Sequence, residues 1–133
     1  MNKTRICYFV ARTLMGFNIL MHGAVRIPKL EEWSRATTDQ FEATILPNQL
    51  VNMATLAIPF IELLVGIFLL LGLFTRFGIV LGWFLIFMLM FGSSLLEEWG
   101  NVFTQNLYGL YFVGLFLYIP RNYYSLDRLI RKT

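Results

Sequence analysis

Four apolar stretches, each close to the length of a bilayer-crossing helix, occupy most of the chain: about residues 6–27, 51–74, 77–96 and 102–119. A spanning α-helix needs roughly 20 apolar residues. The pattern predicts a single domain over residues 1–133, an all-α integral membrane four-helix bundle. The second and third stretches meet at a very tight turn around Thr75-Arg76, which predicts an antiparallel helical hairpin. Between the first two lies a longer loop, roughly Pro28–Leu50. In it Leu30, Trp33, Thr37 and Phe41 fall at i, i+3, i+7 and i+11, with charges between them. That spacing predicts an amphipathic helix, lying in the interface with Trp33 at headgroup depth, covering the mouth of the bundle, or both.

Composition agrees with this pattern. The chain is 57% hydrophobic and 14% charged, against about 25% charged in soluble domains, and its mean hydropathy is +0.62. The first stretch is expected to be a retained span rather than a cleaved signal. It carries Arg12, and Arg26, Ile27, Pro28 and Lys29 follow it in place of a small-residue cleavage site.

Charge orients the bundle. With the N-terminus cytoplasmic, eight of the eleven basic residues lie on the inner side: Lys3, Arg5, Arg12, Arg76, Arg121, Arg128, Arg131 and Lys132. The outer loops hold Arg26, Lys29 and Arg35 beside six acids. The positive-inside rule then predicts a multi-pass protein of the bacterial inner (cytoplasmic) membrane, both termini cytoplasmic and the amphipathic helix periplasmic. The basic tail Arg121–Thr133 is expected on the inner leaflet, drawn to anionic lipid. Basic residues spread along membrane edges exclude nucleic acid as a partner. The single cysteine, Cys7, excludes an internal disulfide or dithiol chemistry within the chain.

Polar residues inside the spans are costly and mark structure or function. Glu62 is the sharpest case, near the middle of the second stretch. It shares a face with Thr55, Pro59 and Gly66. On the first helix Arg12, Gly16, Ile19, Gly23 and Arg26 form one stripe, flanked by His22. Arg12 lies roughly 6 Å below the middle of its helix at 1.5 Å per residue, within side-chain reach of a midplane carboxylate. The expected partner of Glu62 is therefore Arg12, in an intramembrane ion pair that locks the bundle. A proton-relay or substrate-binding role, or a protonated Glu62, are the alternatives.

A second cluster is expected in the outer half: His22, Arg26, Thr55, Ser93, Ser94, Gln105, Asn106 and Tyr108, with Glu62 as its floor. It comes from all four helices, and it reads either as a hydrogen-bonded network joining them or as a ligand pocket. An imidazole beside Arg, Gln and Tyr suits a carbonyl headgroup such as a quinone. One histidine and no thiol pair do not suit a metal. No nucleophile–base pair or phosphate-binding loop is present, and no catalytic residue is assigned.

Several segments together resemble the DoxX family of small four-span bacterial membrane proteins. They are Arg12-x3-Gly16 with His22-Gly23 and Arg26-x2-Lys29-Leu30, then Pro59-Phe-Ile-Glu62-Leu-Leu-Val-Gly66 through Leu71-Gly72-Leu73-Phe74-Thr75-Arg76. The last is Tyr124-Ser125-Leu126-Asp127-Arg128 in the tail. The resemblance implies an inner-membrane four-helix bundle associated with oxidoreductases. Its relatives include a subunit of an archaeal thiosulfate:quinone oxidoreductase. The expectation is an accessory or quinone-interacting subunit with no cofactor in the chain itself, working beside the lipid bilayer with a redox protein partner or as a homo-oligomer. The alternatives are a non-catalytic scaffold or assembly factor and a small-molecule transporter. Related four-span proteins that handle thiols carry cysteine pairs, which this chain lacks.

Overall fold

A computed structural model describes residues 2–131. It is an all-α bundle of four long helices: α1 (Lys3–Arg26), α3 (Asn48–Leu71), α4 (Thr75–Leu95) and α5 (Trp99–Leu117). The short α2 (Leu30–Gln40) lies between α1 and α3, and α6 (Leu126–Ile130) closes the described chain. Each long helix starts two or three residues before the apolar stretch that predicts it. The extra residues are polar or interfacial, such as Asn48 and Trp99.

Helices α3 and α4 are long and apolar enough to cross a membrane by length and composition alone. Helices α1 and α5 have the length but carry polar stripes, part of which faces inward. Large apolar side chains cover the outside: Phe84, Phe87, Phe91, Phe103 and Leu110 are all at least half exposed. Such a continuous apolar exterior is foreign to soluble monomers and suits a hydrocarbon solvent. The core runs through the bundle as Tyr8, Met15, Ile19, Val65, Leu69, Ile79, Leu85, Phe112 and Leu115.

Glycines set how α1 and α3 cross. A Cβ on Gly16 would meet Leu70 N at 2.7 Å; one on Gly66 would meet Leu20 Cα at 2.6 Å; one on Gly23 would strike Pro59 O and Leu63 N. Small residues permit this closeness where packing, not water exclusion, joins helices. The contacts also fix an antiparallel register in which Gly23 lies beside Glu62 and Gly16 beside Leu69 and Leu70. The two helices are thus staggered. The first turns of α3 project past the end of α1, and α2 packs over them through Ser34, whose hydroxyl is 2.6 Å from Thr55 Oγ1 and donates to Asn52 Oδ1. The amphipathic helix therefore does cover the bundle mouth, burying Ser34 and, just past its end, Phe41.

At the opposite end the tail folds onto the α3–α4 turn. That turn falls at Gly72–Phe74, just before the expected Thr75-Arg76, because Gly72 ends α3 in the left-handed conformation (φ 63°). A Cβ there would also meet Ser125 Cβ at 2.5 Å. Helix α4 has no side-chain cap of its own at its first turn. Asp127 supplies one from the tail, its two oxygens accepting from Phe74 N (2.6 Å) and Thr75 N (2.8 Å). Asp127 N donates to Gly72 O, and Asn122 to Thr75 Oγ1. Tyr123 is flanked by the guanidiniums of Arg5 (4.2 Å) and Arg128 (3.3 Å), which places both described ends of the chain on one side. The tail is thus a built part of the bundle rather than a strip held only by lipid; Lys132 and Thr133 lie outside the described residues. We expect Asp127→Ala to cost about 1 kcal/mol, the usual worth of a helix N-cap. Thermal unfolding in detergent would read it as a Tm lowered by several degrees, and an unchanged Tm would show the cap to be dispensable.

Candidate functional site

The one ion pair among the described residues joins Glu62 to Arg26, at 2.5 Å between Arg26 Nη1 and Glu62 Oε1. The expected Arg12–Glu62 pair is not formed. The helix stagger is the reason. With Gly23 packed beside Glu62, Arg12 lies 11 residues further along α1, roughly 16 Å away at 1.5 Å per residue. Arg26, the last residue of α1, sits less than one turn from Gly23. Helical side chains lean toward the N-terminus of their own helix, so Arg26 reaches back onto Glu62. Its guanidinium also stacks 4.7 Å from the Trp33 ring on α2. Trp33 also lines a cavity beside the ion pair.

Arg12 has a different occupation. It is fully buried and donates to the carbonyls of Leu69 and Leu70 in the last turn of α3 and to Tyr124 O in the tail. These are among the four carbonyls that any helix leaves unsatisfied at its C-terminus, where the macrodipole also favours a cation. The stripe on α1 therefore separates into two arginines with two jobs. Arg12 clamps the end of α3 and the tail, and Arg26 neutralises Glu62.

Around the Arg26–Glu62 pair is a cavity of about 220 Å³ lined by His22, Arg26, Glu62, Gln105 and Tyr108, with Ile19, Ile86 and Leu89 as apolar wall. Five of the nine expected pocket residues thus converge. Asn101, which falls at i with Gln105 and Tyr108 at i+4 and i+7, and Thr104 complete the polar lining. Beside it, under α2, is a second chamber of about 430 Å³. It is mainly apolar, with Trp33, Phe41, Leu50, Ile58, Met88 and Phe91 among its walls, and shares Arg26, Leu89, Asn101 and Gln105 with the first. Thr55 and Ser93 line this second chamber. Asn106 is exposed on α5 and lines neither.

Gln105 ties the two spaces together: its Nε2 donates to Ser93 Oγ at 2.9 Å. With Ser34 donating to Asn52 Oδ1, the Thr55 hydroxyl has both Ser34 Oγ at 2.6 Å and Asn52 O at 2.9 Å in reach of its one hydrogen. Of the expected cluster, Gln105 bonds Ser93, and Thr55 joins a separate network with Ser34 and Asn52 under α2. The bonding stops short at the cavity: Glu62 Oε2 and Gln105 Oε1 are buried without a hydrogen-bond partner. Buried polar groups are nearly always satisfied, so these two atoms mark where a further group belongs. Among the described residues no three His, Cys, Asp or Glu side chains gather as a metal site would require.

Fold and site together define a small helical membrane protein with a charged pair lining a half-open, half-polar, half-apolar cavity. The chain belongs to the DoxX family, whose pattern matches residues 7–94, a stretch that includes α1 to α4 up to Ser94 and both members of the ion pair. No match to a curated protein or to a solved structure was found.

Proposed function

We propose that this protein is the quinone-interacting subunit of a bacterial inner-membrane oxidoreductase system, its termini cytoplasmic. The observation that carries the reading is the pair of adjacent cavities with Arg26, Leu89, Asn101 and Gln105 lining both. A polar space of about 220 Å³ lies below the 300–1,000 Å³ typical of whole-ligand pockets and suits a single substituted ring. The adjoining apolar chamber of about 430 Å³ suits the first units of a hydrocarbon tail. An amphiphile with a small polar ring and a long apolar chain fits both. Arg26, Tyr108 and His22 offer hydrogen-bonding groups to ring oxygens, and His22 and Glu62 are placed to exchange protons with them. The single cysteine provides no dithiol, so electrons pass between the ring and a partner protein. The competing reading is a scaffold or assembly factor with no small ligand.

Native mass spectrometry of protein gently extracted from a quinone-producing bacterium tests this. The expected spectrum contains a one-to-one adduct with the mass of a prenylated quinone, lost in Thr104→Trp, which fills the polar space from its exposed rim. A parent spectrum without any quinone adduct supports the scaffold and overturns the proposal.

A further inference from the structure

We infer that the polar cavity is built for the reduced, hydroxyl-bearing form of its ring rather than for the oxidised, carbonyl form; this rests on the quinone reading above and specifies it. The ground is the unmatched hydrogen-bonding capacity of Glu62. The side chain is 2% exposed. Its Oε1 is taken by Arg26 at 2.5 Å, and its Oε2 has no partner. A carboxylate oxygen only accepts, so what completes it must donate. A ring hydroxyl does so, whereas a ring carbonyl brings a second lone pair against a buried anion.

The other groups do not reverse this preference. His22 and Tyr108 can each donate or accept and adapt to either form of the ring. Gln105, with Nε2 given to Ser93, presents Oε1, a second acceptor without a partner. Arg26 gives one N–H to Glu62 and stacks its face on Trp33, and its remaining N–H groups suit a hydroxyl oxygen as well as a carbonyl oxygen. The two cavity atoms that are buried without a partner, Glu62 Oε2 and Gln105 Oε1, are both acceptors, so a ring hydroxyl serves them and the donors alike, whereas a carbonyl serves only the donors. A hydrogen bond to a charged group is among the stronger ones in proteins, and sites with an unmatched buried polar atom reject analogues that lack the complementary group.

The test is isothermal titration of the purified protein with tetramethyl-hydroquinone under anoxic conditions and with the corresponding tetramethyl-benzoquinone. The hydroquinone is expected to bind at least roughly tenfold more tightly, the discrimination of one charge-assisted hydrogen bond. In Glu62→Gln the amide keeps an oxygen for Arg26 and turns an N–H toward the ring, so the preference should vanish or reverse. Should that variant not fold, the parent comparison alone decides. Equal or tighter binding of the benzoquinone by the parent overturns this inference and leaves the quinone site standing. Binding of neither probe, together with no quinone adduct in the native spectrum, overturns the site itself.

Discussion

Arg12→Ala is expected to abolish most of the folded protein, and adding Glu62→Gln is expected not to restore it. Three carbonyls, from Leu69, Leu70 and Tyr124, take their hydrogen bonds from this one guanidinium. Hydrogen bonds to charged groups contribute about 1.5–3 kcal/mol each. Part of that is offset, because the variant no longer buries a charge. A net loss of about 3–5 kcal/mol remains, comparable with the whole stability of a marginal domain. The damage should be local in origin: the α3 C-terminus, the Gly72 turn and the tail loosen together, since among the described residues Arg12 is the one side chain that bonds both α3 and the tail. Arg12→Lys keeps the charge but cannot serve three acceptors in the same fork geometry, and should fall between parent and alanine. Detergent-solubilised yield and thermal unfolding read this directly. Rescue by Glu62→Gln would mean that Arg12 and Glu62 are partners after all.

Arg26→Ala should be damaging for the complementary reason. It leaves Glu62, 2% exposed, as a buried anion without its counter-charge, and breaking a buried pair from one side costs about 3–5 kcal/mol. Arg26 also stacks on Trp33, so its loss should loosen α2 over the chamber. Adding Glu62→Gln should recover most of this, because the neutral amide no longer demands a counter-charge. Hydrogen exchange of the α2 amides distinguishes the two parts: faster exchange in both the single and the double variant reports the lost stacking, while global stability returns only in the double.

The sequence made the helices legible because each apolar stretch is long and bounded by polar or glycine punctuation. It also made legible the face on which Glu62 sits and the convergence of His22, Arg26, Gln105 and Tyr108 from α1 and α5. The ion-pair partner was not legible. Treating each helix as centred in the bilayer puts Arg12 near the depth of Glu62, but depth within a helix does not determine register between helices. The stagger is fixed by where Gly16, Gly23 and Gly66 meet Leu69, Pro59 and Leu20, and a helical wheel carries no information on that pairing. The docking of the tail was not legible for a similar reason. Its basic residues suggest lipid, whereas the residue that decides its position is Asp127, whose target is a pair of backbone N–H groups 52 and 53 residues away. Ser94, expected with the pocket, bonds back to Met90 O within its own helix, the usual local outlet for a serine in a membrane helix.

The account turns on Glu62 pairing with Arg26 at the floor of the cavity, and a double-mutant cycle measures that pairing most directly. Reversible unfolding in mixed detergent would be followed for Arg26→Ala, Glu62→Gln and the double variant, and for the matching cycle with Arg12→Ala. The predicted result is a coupling energy of about 2 kcal/mol or more between positions 26 and 62, and additivity between positions 12 and 62. Strong coupling of Glu62 to Arg12, with additivity at Arg26, would contradict the arrangement on which the cavity and its proposed ligand depend.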